Sequence, residues 1–141
     1  MGKVNLSRVI LGGVLAGVII NFSEFLLNEK VMKTQWEEAM KALGKSMPTS
    51  GSAMMVWIVW GFVVGIAAVW LYAAIRPRYG AGPATAVRAG LAVWFFTCLL
   101  TSIAMQNLGL FPMSMLMLVW VLVESIVATV AGAWLYKESA A

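Results

Sequence analysis

Residues 53–75 read AMMVWIVWGFVVGIAAVWLYAAI, and no side chain among them carries a charge. A helix needs about 20 mostly apolar residues to cross a hydrocarbon core of about 30 Å. Inside that core every backbone amide and carbonyl has to find a partner within the segment, so such a run folds as a helix. This stretch places the chain among membrane proteins and sets the frame for reading the rest.

Three further runs pass the same test, at 8–27, about 84–105 and about 113–136. The composition agrees with them. Hydrophobic residues make up 62% of the 141 residues, against about 45–50% in ordinary globular chains. Charged residues make up 11%, against about 25%. A soluble domain of this size could not hide so much apolar surface. The four runs leave no room for a separate soluble domain. The expected fold is an all-α integral membrane protein, a four-transmembrane-helix bundle forming one membrane domain over 1–141. The first run follows Lys3 and Arg8 as a signal peptide would. It is long, carries Asn21 and Glu24, and lacks a clean small-x-small site, so it is expected to remain as a span.

Orientation follows Lys and Arg in short loops. Lys3, Arg8, Arg76, Arg78, Arg88 and Lys137 fall on one side of a four-span topology, and Lys30, Lys33, Lys41 and Lys45 on the other. Six against four sets both termini in the cytoplasm and the chain in the cell inner membrane. Trp57, Trp60, Trp70, Tyr72, Trp134 and Tyr136 fall near span ends, where amphipathic rings favour headgroup depth. Trp94 and Trp120 fall deeper and are expected to pack between helices. The loop after the first span reads as a short surface helix over about 35–43. Thr34 and Glu37 have capping-box spacing, Gly44 suits a C-terminal cap, Glu37 and Lys41 are spaced to pair, and Trp36, Met40 and Leu43 form an apolar stripe. That stripe suits either the membrane surface or the bundle's own loops.

Two features suggest an internal duplication. Trp-Leu-Tyr recurs at 70–72 and 134–136, and the first and third spans each open on an arginine, Arg8 and Arg88, followed by small residues. Small residues at i, i+4 spacing mark where helices approach: Gly13 and Gly17 in the first span, Gly61 and Gly65 in the second, Ala128 and Gly132 in the fourth. In a four-span chain these are expected to join helices of one molecule.

Polar residues within the runs are the candidate site. Gly13, Gly17, Asn21, Glu24 and Asn28 share one face of the first helix, with Glu24 about 5 Å inside the outer boundary. Glu124 lies near the middle of the fourth run, with no Lys or Arg at comparable depth. A bare carboxylate there is costly, so a neutral carboxyl is expected, bonded to Asn21, Thr97, Thr101, Ser102 or Ser125. Such a group serves either as glue between helices or as a proton-coupling site.

The chain has no histidine, which removes the commonest metal ligand and general base. Its one cysteine, Cys98, excludes an intrachain disulfide. No catalytic triad or phosphate loop is present, so no enzyme, no cofactor and no metal site are expected. The Met-rich start of the fourth run, Met113 to Met117, reads as flexible apolar packing.

With NFSEFLLNE, TQWEEAMKALG, IRPRYGAGP and AGAWLY in this order, the layout resembles small uncharacterised bacterial inner-membrane proteins with four spans and no extramembrane domain. That resemblance implies no activity. In outline the chain is also similar to small multidrug transporters, but their glutamate lies mid-membrane in the first span, where this chain has Glu24 near the end. The leading functional expectation is a structural or accessory subunit of a membrane complex, or a self-associating bundle. The alternatives are a proton-coupled small-cation transporter or channel using Glu124 and Glu24, and a binder of lipid in a groove lined by Trp94, Phe95 and Trp120. The expected partners are the lipid bilayer and a homo-oligomer or larger membrane complex, not nucleic acid.

Overall fold

The structure is a computed structural model that describes residues 4–138. It has four helices long and apolar enough to cross a membrane: Leu6–Val31, Gly51–Tyr79, Pro83–Asn107 and Met115–Trp134. A shorter helix, Lys33–Ala42, lies between the first two. The chain is thus a multi-pass membrane bundle with alternating spans. Both described termini lie at one end; the short helix lies at the other, called here the far end.

Local chemistry sets the starts. Asn5, Ser50 and Ser114 precede the first, second and fourth spans, and each side-chain oxygen accepts from a backbone N–H three residues on. The third span opens on Pro83, where a missing N–H costs nothing. Two spans run longer than the sequence suggested. The first continues past Leu27 through a π-helical turn, Leu27–Val31. The second runs straight through Pro77 to Tyr79, so IRPR is helix and the turn begins at Gly80. Gly80 has φ +86°, and Thr85 Oγ1 folds back to donate to its carbonyl at 2.8 Å. Such a φ favours glycine, which lets the chain reverse within three residues.

The spans form a ring in which the first packs on the second and fourth, and the third on the second and fourth. Glycines set the crossings. A Cβ on Gly13 would stand 2.5 Å from Ile66 Cα, and one on Gly65 would stand 2.6 Å from the Gly13 carbonyl oxygen. Gly17 abuts Phe62, and a Cβ on Gly132 would stand 2.6 Å from the Gly12 carbonyl oxygen. All these contacts lie within one molecule, as expected for close backbone approach through small residues. Two further crossing glycines, Gly12 and Gly90, fall outside those singled out in the sequence, although Ala16 and Ala86 stand four residues from them. Gly12 meets Gly132, and a Cβ on Gly90 would stand 2.8 Å from the Ser125 carbonyl oxygen.

At the terminal end the repeated Trp-Leu-Tyr acquires a structural meaning. Trp70 and Trp134 face outward, 50% and 83% exposed. Tyr72 and Tyr136 do not join that belt; they are buried and meet edge to face at 5.9 Å between centroids. The Tyr72 hydroxyl accepts from the N–H of Gly82, which precedes the third span. The Tyr136 hydroxyl accepts from the N–H of Asn5, which precedes the first. Each hairpin's second helix thus closes on the start of the other hairpin, an arrangement that supports the duplication reading. Arg76 adds a stacking contact on Tyr136 and an ion pair to Glu138 at 3.0 Å.

The far end is looser. Residues 54–60 of the second span are exposed on every face, and the last turns of the third, Leu100–Asn107, run clear of the other spans' backbones. The second and third spans therefore diverge, and a shallow recess of about 440 Å³ lies along Met55, Val56, Val59, Trp60 and Val63.

The short helix differs in detail from the expectation. It starts at Lys33, directly after the π turn, so Thr34 is inside it and no capping box forms. The ion pair here is Glu29–Lys33 at 3.6 Å; Glu37 and Lys41 form none. Its end is as expected: Gly44, at φ +67°, donates to the Lys41 carbonyl, and Lys45 N–H donates to the Met40 carbonyl, both at 2.9 Å. Trp36 turns toward the bundle and meets Phe111 edge to face at 5.4 Å. That half of the apolar stripe thus packs on the chain's own loop.

Candidate functional site

The candidate site lies between the first and fourth spans. They run antiparallel, with Gly12 beside Gly132, Ser23 bonded to Trp120, and Met32 beside Ser114. In that register Glu124 is level with Ile20. It lies ten residues past Ser114, about 15 Å along the helix and so close to the middle of the hydrocarbon core. Glu24 lies seven residues before the end of its span, about 10 Å in. The π turn carries the helix past it to Val31. The two carboxyls come from separate spans packed on each other and lie one turn apart in height.

Two relays of hydrogen bonds approach them. Trp36 Nε1 donates to Asn28 Oδ1 at 2.8 Å, and Asn28 Nδ2 donates to Glu24 Oε2 at 2.6 Å. The same amide donates to the Glu24 carbonyl at 2.8 Å, so Asn28 is locked to the turn it belongs to. Trp120 Nε1 donates to Ser23 Oγ at 2.9 Å, and the Ser23 hydroxyl lies beside the Glu124 carboxyl. An indole N–H is a donor only. Each tryptophan therefore leaves its middle residue a proton to donate inward, in Asn28 an amide and in Ser23 a hydroxyl.

Glu124 is only 7% exposed, and its Oε2 has no hydrogen-bond partner. A buried unpartnered carboxyl oxygen is costly in a membrane interior. No basic group relieves it. The second span has none before Arg76, at the terminal end, and the third has none past Arg88. Cys98 and Ser102 of the third span face the same interior, both 8% exposed. Cys98 lies in a second π-helical turn, Phe95–Leu99. Both spans that face Glu124 across the bundle thus carry a π turn at this end, a feature frequent at functional sites.

The other residues singled out in the sequence lie elsewhere. Asn21 faces the second span, where its Nδ2 donates to the Ile58 carbonyl at 3.2 Å and its side chain fills the space Gly61 leaves. Thr97 donates to the Val93 carbonyl at 2.8 Å, and both it and Thr101 are exposed on the outer face of the bundle. Ser125 lies against Gly90, on the third-span side of its helix. Helical periodicity explains these departures: Thr97 and Thr101 share one face, and Cys98 and Ser102 share the next one, turned inward. The partner that sequence reasoning missed is Ser23, beside Glu24 and on the face toward the fourth span. A serine in NFSEF carried no signal, because its role depends on the register of a helix about 100 residues away.

Trp94 and Trp120 bridge helices as expected. Trp94 Nε1 donates to the Leu118 carbonyl at 2.9 Å. Phe95 is exposed and meets Phe96 rather than either tryptophan, so the three do not line a common groove. Among the described residues no cluster of metal-ligating side chains occurs. Comparison with family models, with curated protein sequences and with solved structures found no match.

Proposed function

We propose that this chain is a non-enzymatic membrane protein that works through helix–helix association, as a self-associating bundle or as an accessory subunit of a larger membrane complex. The observation that carries the reading is the splayed far end. The crossing glycines are all engaged inside the molecule, while the second span offers an unpaired stripe of Met55, Val56, Val59, Trp60 and Val63 along an open recess on its own face. Helices in lipid associate by shape and packing, and a further helix laid along this stripe would cover the apolar face that the second span leaves unpaired at the far end. We place the chain in the cell inner membrane with both termini cytoplasmic, on the distribution of Lys and Arg.

Native mass spectrometry on the protein extracted gently from its own membrane tests the reading. Association predicts a reproducible mass above that of one chain, homomeric or heteromeric; a monomer alone would overturn it. In a Cys98→Ala background, Val59→Cys should crosslink between chains or to a partner, and Val18→Cys, exposed on the first span, should not. A second reading, proton-coupled movement of a small cation, is favoured by the meeting of Glu24 and Glu124 and requires a water path to that pair.

A further inference from the structure

We propose that Glu24 and Glu124 form one proton-binding site in the membrane interior, in which Glu24 is the fixed acceptor and Glu124 the member that takes up and releases the proton. The inference does not depend on the association reading, since it concerns the interior of a single bundle.

The two carboxyls are not equivalent. Glu24 is half-buried, and its Oε2 already accepts a short bond from Asn28, itself oriented by Trp36. A carboxylate held by a donor amide is suited to stay an acceptor. Glu124 is nine-tenths buried, and one oxygen is free. That oxygen is the buried position in the pair where a proton can sit without displacing an existing bond, whereas Glu24 is less buried and already held on Oε2. Two like charges on packed helices one turn apart in height repel in a medium of low dielectric, so one proton held by the pair removes both the repulsion and the cost of burying a charged Glu124.

The groups facing Glu124 leave no other way to neutralise it. The first span contributes Glu24 and Ser23, the third contributes Cys98 and Ser102, the second contributes no titratable group before Tyr72, and the fourth has no other until Tyr136. No lysine or arginine faces the pair. A metal cation fits poorly, because beyond the two carboxyls few oxygens are present and sodium-like or calcium-like ions take about six or more.

Exchange with water has a natural route. Asn28 and Trp36 lie between Glu24 and the far-end surface, and beside Trp36 is a small recess of about 20 Å³ lined by Met32, Gln35, Pro112, Ser114 and Met117, room for about one water. The surface helix thus covers the polar path to Glu24, and the Trp36–Asn28 bond holds it there.

The test is carbodiimide labelling of the full chain in phosphatidylcholine vesicles, mapped by peptide mass spectrometry. Carbodiimides react with protonated carboxyls in apolar surroundings. An ordinary water-exposed glutamate, with pKa near 4.3, is protonated in about 1 in 500 copies at pH 7. The expected result is one adduct per chain, on Glu124, forming at least about tenfold faster than on any exposed carboxylate and falling as pH rises. Glu124→Gln should abolish it. Glu24→Gln should keep the adduct and move its pH profile, which a merely structural Glu124 with no electrostatic partner would not show. Tryptophan fluorescence and gel filtration establish that each variant is folded. Two adducts per chain at neutral pH would mean two independent neutral acids and overturn the proposal. No adduct in the folded chain would mean two ionised, hydrated carboxylates and also overturn it. Suppression by added sodium at fixed pH would assign the site to a metal cation instead.

Discussion

Gly65→Ala gives a direct measure of how the bundle is held. The new methyl would stand 2.6 Å from the Gly13 carbonyl oxygen and 2.8 Å from Gly17 Cα, all backbone atoms that cannot rotate away. Ordinary contact begins near 3.4 Å and the Gly17 backbone nitrogen is nearer still, so the first and second spans have to part by at least about 0.8 Å at this point. A radial gap of that size forfeits about a quarter to a half of the dispersion energy of each contact across it. Overpacking of this kind costs about 1–3 kcal/mol, or a factor of about 5 to 140 in the unfolding constant. Equilibrium unfolding in mixed micelles with rising dodecyl sulfate, followed by circular dichroism, reads the difference. Gly51→Ala is the control, since nothing lies within 4 Å of its added methyl; it should change stability by less than about 0.5 kcal/mol. If Gly65→Ala unfolds at the control's midpoint, the two spans do not cross at this glycine and the ring of contacts built on it is wrong.

Three other outcomes follow from the contacts. Tyr72→Phe and Tyr136→Phe should each cost about 0.5–1.5 kcal/mol in the same assay, and by similar amounts, because each hydroxyl serves the start of the opposite hairpin. Trp36→Phe keeps a ring to face Phe111 but removes the N–H to Asn28; hydrogen exchange across 33–42 should quicken by about fivefold, from about 1 kcal/mol of lost latch, and unchanged exchange would mean the latch contributes nothing. Asn21→Leu should destabilise by about 1–3 kcal/mol, since it removes the bond to Ile58 and forces a branched chain against Gly61; a neutral result would remove Asn21 from the crossing.

The spans were legible in the sequence because the membrane imposes a length and a composition that few other folds share. Their ends were less so. The first span outran its apolar run because a π turn keeps backbone groups paired through Asn28 and Glu29, and the second because Pro77 falls two residues from its end, so the one ladder bond it removes lies at the terminus and the helix is not broken in its middle. Glycine pairs spaced at i, i+4 were visible, whereas Gly12 and Gly90 pair at that spacing with alanines, Ala16 and Ala86, and stand out less. The two glutamates stood out because a charge in a span is rare. That they fall one turn apart on packed spans depends on the antiparallel register of two helices far apart in the chain, which no local pattern encodes. For the same reason Thr97 and Thr101 read as candidates from their chemistry, while Cys98 and Ser102 hold the inward face.

The tyrosine pair also bears on the order of assembly. The bond from Asn5 to Tyr136 joins positions 131 residues apart. A ribosome delivers about 5–20 residues per second, so the start of the first helix waits several seconds or more for the group that closes it. Until the last helix inserts, the first hairpin lacks both its closing tyrosine and the helix that covers Ser23 and Glu24. Contacts of this separation are formed late, and a chain released before its final helix would leave a polar face of the first span open to lipid or to whatever membrane helix reaches it first.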